Sequence, residues 1–168
     1  EQVELIRKSE GIVGAAIGVS GDFEERACAL WDAGANILCV DVAHGHHILM
    51  KNTLTRLREI FGNHVHIMAG NVATLEGFND LSRWGANSIR VGIGGGSICS
   101  TRLVSGHGIP TFQSILECAQ TEHDVKIIAD GGVRTTGDIV KAFAAGADFV
   151  MVGSMLAGTK ETPGEVFT

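Results

Sequence analysis

The chain has 168 residues, of which 45% are hydrophobic and 19% charged, with 23 glycines and a formal net charge of −6. This composition predicts a single globular unit with enough apolar material for a core. No segment approaches the roughly 18–20 consecutive apolar residues that a membrane span requires. The lack of a basic stripe argues against nucleic acid as a partner, and the charged, helix-like segment 1–10 is not of the signal-peptide type.

Six short apolar runs recur along the chain and alternate with helix-like segments. The runs are rich in Val and Ile and almost wholly apolar, which predicts strands covered on both faces, as in a parallel sheet. The predicted strands are 12–18, 37–42, 65–72, 88–94, 126–132 and 149–154. The segments between them are long enough for crossover helices; examples are 22–34, 74–85 and 136–146.

A four-residue signature recurs where a helix leads into a strand: AGAN at 33–36, WGAN at 84–87 and AGAD at 145–148. Glycine there suits the left-handed turn that ends a helix, and alanine permits close packing below the next strand. Reuse of one βα unit predicts either a doubly wound sheet or a barrel.

The segments that follow the strands favour a (β/α)8 TIM barrel. They are polar or glycine-rich and all fall on the C-terminal side of a strand, where such barrels build their active sites. The last two are ADGG at 129–132 and VGS at 152–154. They stand where the phosphate-binding site of such a barrel is formed, after strands seven and eight. A closed barrel of this type has eight strands. We therefore expect about six βα units of an open barrel whose apolar strand edges are prone to aggregation.

The segment GIGGGSICSTR at 92–102 contains the residue best suited to covalent chemistry. Its glycines let the backbone approach a ligand closely, and consecutive amides can form an anion-binding nest. Cys99 stands just past the glycines, beside Ser97, Thr101 and Arg102. A thiol near a cation and oriented amides has a lowered pKa, and the thiolate is the reactive form. We predict that Cys99 is a nucleophile; the alternative is a small buried residue in a tight loop.

The other cysteines and the histidines favour simpler roles. Three cysteines lie in apolar patterns and are interpreted as structural: Cys28, Cys39 and Cys118. The absence of a CxxC pair favours a reducing cytoplasm over a disulfide scaffold. The histidines of AHGHH at 43–47 have no Cys or carboxylate cluster at a familiar metal-ligand spacing, so we predict polar loop residues and no structural metal.

Residues at other strand ends indicate a nucleotide site. A strand that ends in Gly-Gly, as at 131–132, exposes N–H groups that can bind phosphate oxygens, and 152–154 follows a similar logic. Asp130 is placed either to accept hydrogen bonds from a ribose diol or to cap the following turn. Asp41 and Asn71, each at the C-terminal end of a strand, carry the same two alternatives.

The stretches GNVAT, VGIGGGSICSTR, IADGGVRTTGDIVKAFAAGAD and VMVGSMLAGT together resemble the IMP dehydrogenase and GMP reductase family. The resemblance runs through nearly the whole chain, and the glycine-rich loop that ends in S-I-C is its most specific part. It implies that the six strands are barrel strands three to eight and that the family's mobile flap lies beyond Thr168. We therefore expect one catalytic barrel domain over 1–168, incomplete at both ends, with no CBS domain visible.

The resemblance also implies roles on the substrate side. Cys99 matches the nucleophile that attacks C2 of the purine base, and Thr101 matches a threonine that handles the leaving ammonia in the reductase. Asp130 matches the carboxylate that holds the ribose hydroxyls. The positions that match the 5′-phosphate site are Ser97, Gly132, Gly153 and Ser154, and Gly131 is grouped with them as a substrate-binding residue.

On the cofactor side, the resemblance implies NAD, or alternatively NADP. The predicted cofactor-binding residues are Asp41, Asn71, Gly92 and Gly94. A potassium ion is a further implied ligand, held by the backbone carbonyls of Gly94, Gly96 and Cys99. The implied partners are a small purine nucleotide (IMP, XMP or GMP) and further copies of the chain in a cytoplasmic homotetramer, with no nucleic acid or membrane.

The motifs favour the dehydrogenase over the reductase. The stretch from VGSMLAGT to TPGE resembles dehydrogenases, whereas DVAHGH and IMAGNV resemble both enzymes equally. In the dehydrogenase, the thiolate adds to C2 of IMP, hydride passes to NAD⁺, and water hydrolyses the adduct to XMP. In the reductase, attack on GMP expels ammonia and NADPH then delivers hydride to give IMP.

Two other interpretations are distinguishable by simple observations. A flavin-dependent barrel of the 2-hydroxy-acid oxidase type also ends strands in DGG-V-R; it would be yellow and would not need Cys99. A non-catalytic nucleotide-binding fragment would retain the phosphate-binding site and would bind IMP without forming a covalent adduct.

Overall fold

The computed structural model describes residues 3–4, 8, 11–162 and 164, and its centre is one six-stranded sheet. All neighbouring strands are parallel and follow chain order. The strands are β1 (Gly14–Ile17), β2 (Ile37–Asp41), β3 (His66–Val72), β4 (Ser88–Val91), β5 (Lys126–Asp130) and β6 (Phe149–Met151). The helices are α1 (Phe23–Asp32), α2 (Ile48–Phe61), α3 (Leu75–Arg83), α4 (Thr101–Ser105), α5 (Thr111–Cys118) and α6 (Thr136–Ala144). This is the architecture of an open, partial TIM barrel.

All six predicted strands are present, but the last three end two or three residues before their apolar runs do. They end at Val91, Asp130 and Met151, whereas the runs extend to 94, 132 and 154. Gly92 and Gly131 follow the first two ends with φ of 141° and 91°. Backbone in this region leaves the pleated ladder, so these glycines turn the chain into the loops that carry the candidate site.

The three helices predicted between strands correspond to α1, α3 and α6, whereas most of the helix-like segment 1–10 lies outside the described residues. Helix α6 begins with a capping box. The Thr135 hydroxyl accepts a hydrogen bond from the Asp138 N–H, and the Asp138 carboxylate accepts one from the Thr135 N–H. These two side chains therefore satisfy backbone N–H groups that the start of α6 would otherwise leave without a partner.

The recurring Gly-Ala-Asn/Asp signature forms the same structure three times. Its glycines are left-handed, with φ of 98°, 110° and 109° at Gly34, Gly85 and Gly146, and the alanines that follow are buried. The last residue of each signature then exchanges two hydrogen bonds with a residue near the start of the preceding strand. These pairs are Asn36 with Val13, Asn87 with Ile67, and Asp148 with Ile127. The signature thus joins neighbouring strands at the end of the sheet opposite the glycine-rich loops.

The core lies between the sheet and its helices and is largest at the central strands. Fully buried side chains there include Leu38, Leu54, Ile67, Phe78 and Ile89. The last strand is different, because Phe149 and Met151 remain 57% and 37% exposed along the outer edge of the sheet. In the described part of the chain, no helix has both the length and the hydropathy needed to cross a bilayer.

Candidate active site

The candidate site lies at the C-terminal edge of the sheet. Asp41 and Asp130 are the last residues of β2 and β5, Asn71 is the penultimate residue of β3, and Cys99 lies in the loop between β4 and α4. Parallel strands all end at the same edge, which is where barrels of this type build their sites. Segments far apart in sequence are therefore gathered on one side of the molecule.

Two adjoining cavities divide the predicted residues between them. The smaller, of about 230 Å³, is lined by the predicted catalytic and cofactor residues together with Asp130. These are Asp41, Asn71, Gly92, Gly94, Gly96, Cys99 and Thr101. The larger, of about 590 Å³, is lined by predicted phosphate residues: Ser97, Gly131, Gly132 and Ser154. Gly95 and Gly131 line both cavities, whereas Gly153 lines neither.

Glycine is required where the two cavities meet. A Cβ atom on Gly131 would lie 2.9 Å from the Gly95 carbonyl carbon and 3.0 Å from the Gly96 nitrogen. A Cβ atom on Gly92 would overlap the carbonyl oxygen of Asp130. The loop that carries the cysteine therefore packs directly on the backbone that follows β5, which is a use of glycine for close approach.

Cys99 is partly exposed, and its sulfur lies 3.3 Å from the Thr101 hydroxyl. Hydrogen bonding by the side chain and the backbone of Thr101 lowers the pKa of the Cys99 thiol, and the positive charge of Arg102 lowers it further. The thiolate is therefore favoured relative to an ordinary cysteine. The sequence suggested Arg102 and nearby amides as the cause, but Thr101 has the larger effect.

The remaining cysteines lie in apolar surroundings, although one borders the site. Cys118 is fully buried, and burial together with Glu117 raises the pKa of its thiol to about 12. Cys28 packs against the main core. Burial also raises the pKa of the Cys39 thiol, but its sulfur accepts a hydrogen bond from Arg90.

Arg90 is a site residue that sequence reasoning missed. From β4, its Nε donates to Asp130 Oδ2 at 3.1 Å, and its Nη2 donates to Asp41 Oδ1 at 3.0 Å. Burial disfavours the charge of this guanidinium, but its neighbours Cys39, Asp130 and Asp41 outweigh burial and raise its pKa. The available signal was the single charged residue in the apolar strand SIRV, since a buried charge needs partners.

Asn71 lines the smaller cavity and carries an unpaired acceptor. Its Nδ2 donates to the Gly92 carbonyl and to Asp130 Oδ2, both at 2.8 Å. Its Oδ1 is buried and has no partner among the described residues. A buried, unpaired acceptor is costly, so an N–H or O–H group of a ligand in this cavity would relieve that cost.

The histidines of the segment 43–47 contact neighbouring helices. His46 Nε2 lies 2.8 Å from Asp80 Oδ2, and this interaction lowers the pKa of Asp80. The His47 side chain accepts a hydrogen bond from the Leu49 N–H at the start of α2. Among the residues that the structure describes, no group of three or more His, Cys, Asp or Glu side chains is arranged to hold a metal ion.

The parallel sheet and the loops at its carboxyl edge define a TIM-barrel protein with a partly exposed cysteine beside a glycine-lined cavity. The sequence profile of the IMP dehydrogenase / GMP reductase domain matches residues 4–168, and the chain belongs to this family. It is 48% identical over 164 residues to an inosine-5′-monophosphate dehydrogenase of Nitrosopumilus maritimus, covering 96% of this chain and 34% of that protein. It is 54% identical over 158 residues to a GMP reductase of Leishmania major, covering 92% and 32%. The chain thus spans about a third of the length of these relatives.

Solved structures of both enzymes resemble the chain. An inosine 5′-monophosphate dehydrogenase from Legionella pneumophila matches with a TM-score of 0.89 and 50% identity, over 98% of this chain and 50% of that one. A variant of GMP reductase from Trypanosoma brucei, in complex with guanosine 5′-monophosphate, matches with a TM-score of 0.88 and 48% identity, over 93% and 33%.

Proposed function

We propose that the whole protein is a purine nucleotide oxidoreductase that acts at C2 of the base through a covalent adduct on Cys99, with IMP dehydrogenase as the reaction. IMP, NAD⁺ and water would give XMP, NADH and a proton. The observation that carries the proposal is the pair of adjoining cavities. One contains the reactive cysteine and Asp130, and the other contains glycine amides and serine hydroxyls suited to a phosphate.

The nucleotide would lie across both cavities. The amides of Gly131 and Gly132 and the hydroxyls of Ser97 and Ser154 would bind the 5′-phosphate, with Gly153 adding backbone beside Ser154. These loops would supply most of the hydrogen bonds to the phosphate, because the first turn of α6 is already capped by the Thr135 and Asp138 side chains. The ribose would then lie at Asp130, between the phosphate and the sulfur.

The chemistry would begin at the Cys99 sulfur. The thiolate, favoured by Thr101, would donate an electron pair to C2 of IMP and form a carbon–sulfur bond. NAD⁺, when bound, would accept the hydride from C2. Water would then add at C2 and the carbon–sulfur bond would break, releasing XMP and returning the electron pair to sulfur.

We propose that the cofactor binds at the smaller cavity. Asp41, Asn71, Gly92 and Gly94 would face the nicotinamide cofactor, and the unpaired Asn71 Oδ1 fits an N–H or O–H donor there. NAD is proposed, with NADP as the alternative. Their affinities, measured on the full-length protein with and without IMP, would decide between them.

A potassium ion is proposed at the backbone of the cysteine loop. The carbonyls of Gly94, Gly96 and Cys99 are the proposed ligands, since backbone carbonyls can replace the hydration shell of K⁺. The Gly96 carbonyl also accepts the Cys99 N–H at 3.1 Å, which leaves it a second lone pair for an ion. Replacement of K⁺ by Na⁺ in the assay tests this proposal.

GMP reductase is the alternative, and a specific observation favours it. The 54% identity to the Leishmania enzyme is higher than the 48% identity to the Nitrosopumilus dehydrogenase. In this reaction GMP, NADPH and two protons would give IMP, NADP⁺ and ammonium, with attack by Cys99 expelling the 2-amino group. Thr101, in contact with the sulfur, would assist the departing ammonia.

The experiment is incubation of the full-length protein with IMP plus NAD⁺ and, separately, with GMP plus NADPH. Absorbance of reduced nicotinamide rising in the first mixture supports the dehydrogenase, and a fall in the second supports the reductase. Cys99→Ala should bind nucleotide within a few-fold of the wild-type affinity and abolish turnover. No change in either mixture, or turnover by Cys99→Ala, would overturn the proposal. A homotetramer and a cytoplasmic location are proposed alongside; light scattering and cell fractionation test them.

A further inference from the structure

Arg90 lies between the two carboxylates that the proposed function assigns to different ligands. Its guanidinium bonds Asp130, on the proposed ribose side, and Asp41, on the proposed cofactor side. The Arg90 side chain is only 14% exposed, and that of Asp130 20%. Arginine is suited to this place because its planar fork can bind two acceptors at fixed angles, whereas lysine offers a single point charge.

The hydrogen bonds at Asp130 determine which oxygen is available to a ligand. Oδ2 accepts from both Arg90 Nε and Asn71 Nδ2, at 3.1 and 2.8 Å. Two donors use both lone pairs of that oxygen. In the described part of the chain no group bonds to Oδ1. Arg90 and Asn71 therefore hold the carboxylate in one orientation, with Oδ1 left to accept hydroxyl groups.

We propose that Arg90 is a positioning residue for both ligand sites, and that it fixes Asp130 for the ribose diol and Asp41 for the cofactor through one guanidinium. The inference rests on the proposed function for the identity of the ligands. Arg90 acts through the two carboxylates in this scheme. Its loss should therefore affect the part of each ligand that these carboxylates recognise.

The test compares IMP with 2′,3′-dideoxy-IMP on the full-length protein by calorimetric titration. Arg90→Lys should lower the affinity for IMP about tenfold to a hundredfold, the range expected when a charge-assisted hydrogen bond is lost. It should lower the affinity for the dideoxy analogue less than about threefold. The ribonucleotide preference, which is the affinity for IMP divided by that for the dideoxy analogue, should therefore fall. The KM for the nicotinamide cofactor should rise in the same variant.

Arg58 provides a matched control at the opposite end of the barrel. It is also partly buried, and it donates to the backbone carbonyls of Gly85, Gly62 and Val65. Arg58→Lys should lower the melting temperature without changing the ribonucleotide preference. A preference that is unchanged in Arg90→Lys, or that falls equally in Arg58→Lys, would overturn the proposal.

A second variant decides the matter if Arg90→Lys does not fold. Asp41→Ala removes the carboxylate that accepts from Arg90 Nη2 on the cofactor side, so it should reduce the ribonucleotide preference a few-fold, although Asp41 is not assigned to the ribose. An unchanged preference would contradict the link through Arg90. The turnover assay with Cys99→Ala is independent of these affinities, so failure of the function and failure of this inference give different results.

Discussion

At the scale of single residues, neighbouring residues lower the pKa of the Cys99 thiol. Thr101 has the largest effect in lowering the pKa of the thiol, through its side chain first and its backbone second. A hydrogen bond donated to a thiolate stabilises the charged form and so favours deprotonation at lower pH. Arg102 adds a smaller effect of the same sign.

Thr101→Val should therefore make Cys99 less reactive near neutral pH. Without the hydroxyl, the pKa of Cys99 rises, a smaller fraction is thiolate at pH 7, and alkylation slows severalfold. The measurement is the iodoacetamide rate as a function of pH, whose midpoint should move upward. Thr101→Ser keeps a hydroxyl and should retain the wild-type profile. Identical profiles for wild type and Thr101→Val would show that the hydroxyl does not tune the thiol.

Ser154 is the second residue whose effect can be isolated. Ser154→Ala removes a donor to the proposed phosphate and should cost about 1.5–3 kcal/mol of nucleotide affinity. Titration with IMP measures this loss. Ser100→Ala is the matched control, since Ser100 lines neither cavity. Equal affinities in the two variants would mean that the phosphate binds elsewhere.

At the scale of elements, the βα unit is defined by how it ends. Each Gly-Ala-Asn/Asp signature reverses the chain through a left-handed glycine and then bonds the start of the preceding strand. The side-chain oxygen accepts a hydrogen bond from a backbone N–H near the start of that strand. The same signature thus links neighbouring strands at three places in the sheet.

Asn36→Ala should destabilise the fold because it leaves the N–H of Val13 without its acceptor. Val13 is only 2% exposed, and an unsatisfied buried donor costs about 1–3 kcal/mol. Urea denaturation of the chain measures the change in unfolding free energy. Asn52→Ala, at an exposed position of α2, should change stability by less than about 0.5 kcal/mol. A similar loss in both variants would contradict this role of Asn36.

At the scale of the whole molecule, β1 and β6 form the edges of the sheet, and within the described residues neither edge is paired with a further strand. Unpaired, apolar strand edges act as templates for association with other chains. Phe149 and Met151 are exposed on the last strand, so this edge combines free backbone groups with apolar side chains.

Phe149→Lys should reduce self-association of the 168-residue chain, because a charge on an edge strand opposes edge-to-edge pairing. Ile48→Lys is the matched control: Ile48 is 58% exposed and Phe149 57%, but Ile48 lies on a helix. Light scattering as a function of concentration measures the difference. If both variants reduce association equally, general surface hydrophobicity is responsible and not the edge.

The sequence alone predicted the six strands, three of the six described helices and most residues of the candidate site. Strand positions follow from local apolar runs, and the left-handed turns follow from glycines that no other residue replaces at low cost. The sequence also predicted Cys99 and the glycine pair at 131–132 as candidate site residues, because reactive thiols and phosphate loops need particular residues close together in sequence. The structure places Cys99 at the smaller cavity and Gly131 and Gly132 at the larger one.

Only the tertiary structure decided the contacts between distant segments. Arg90 meets Asp130, Asp41 and Cys39 across separations of 40, 49 and 51 residues. These contacts depend on strand register and side-chain direction, which no local pattern specifies. The division of the site into two cavities, and the unpaired oxygen of Asn71, likewise arise where separate loops meet. The local sequence therefore determines which residues stand at each strand end, whereas packing of the sheet determines which of them come into contact.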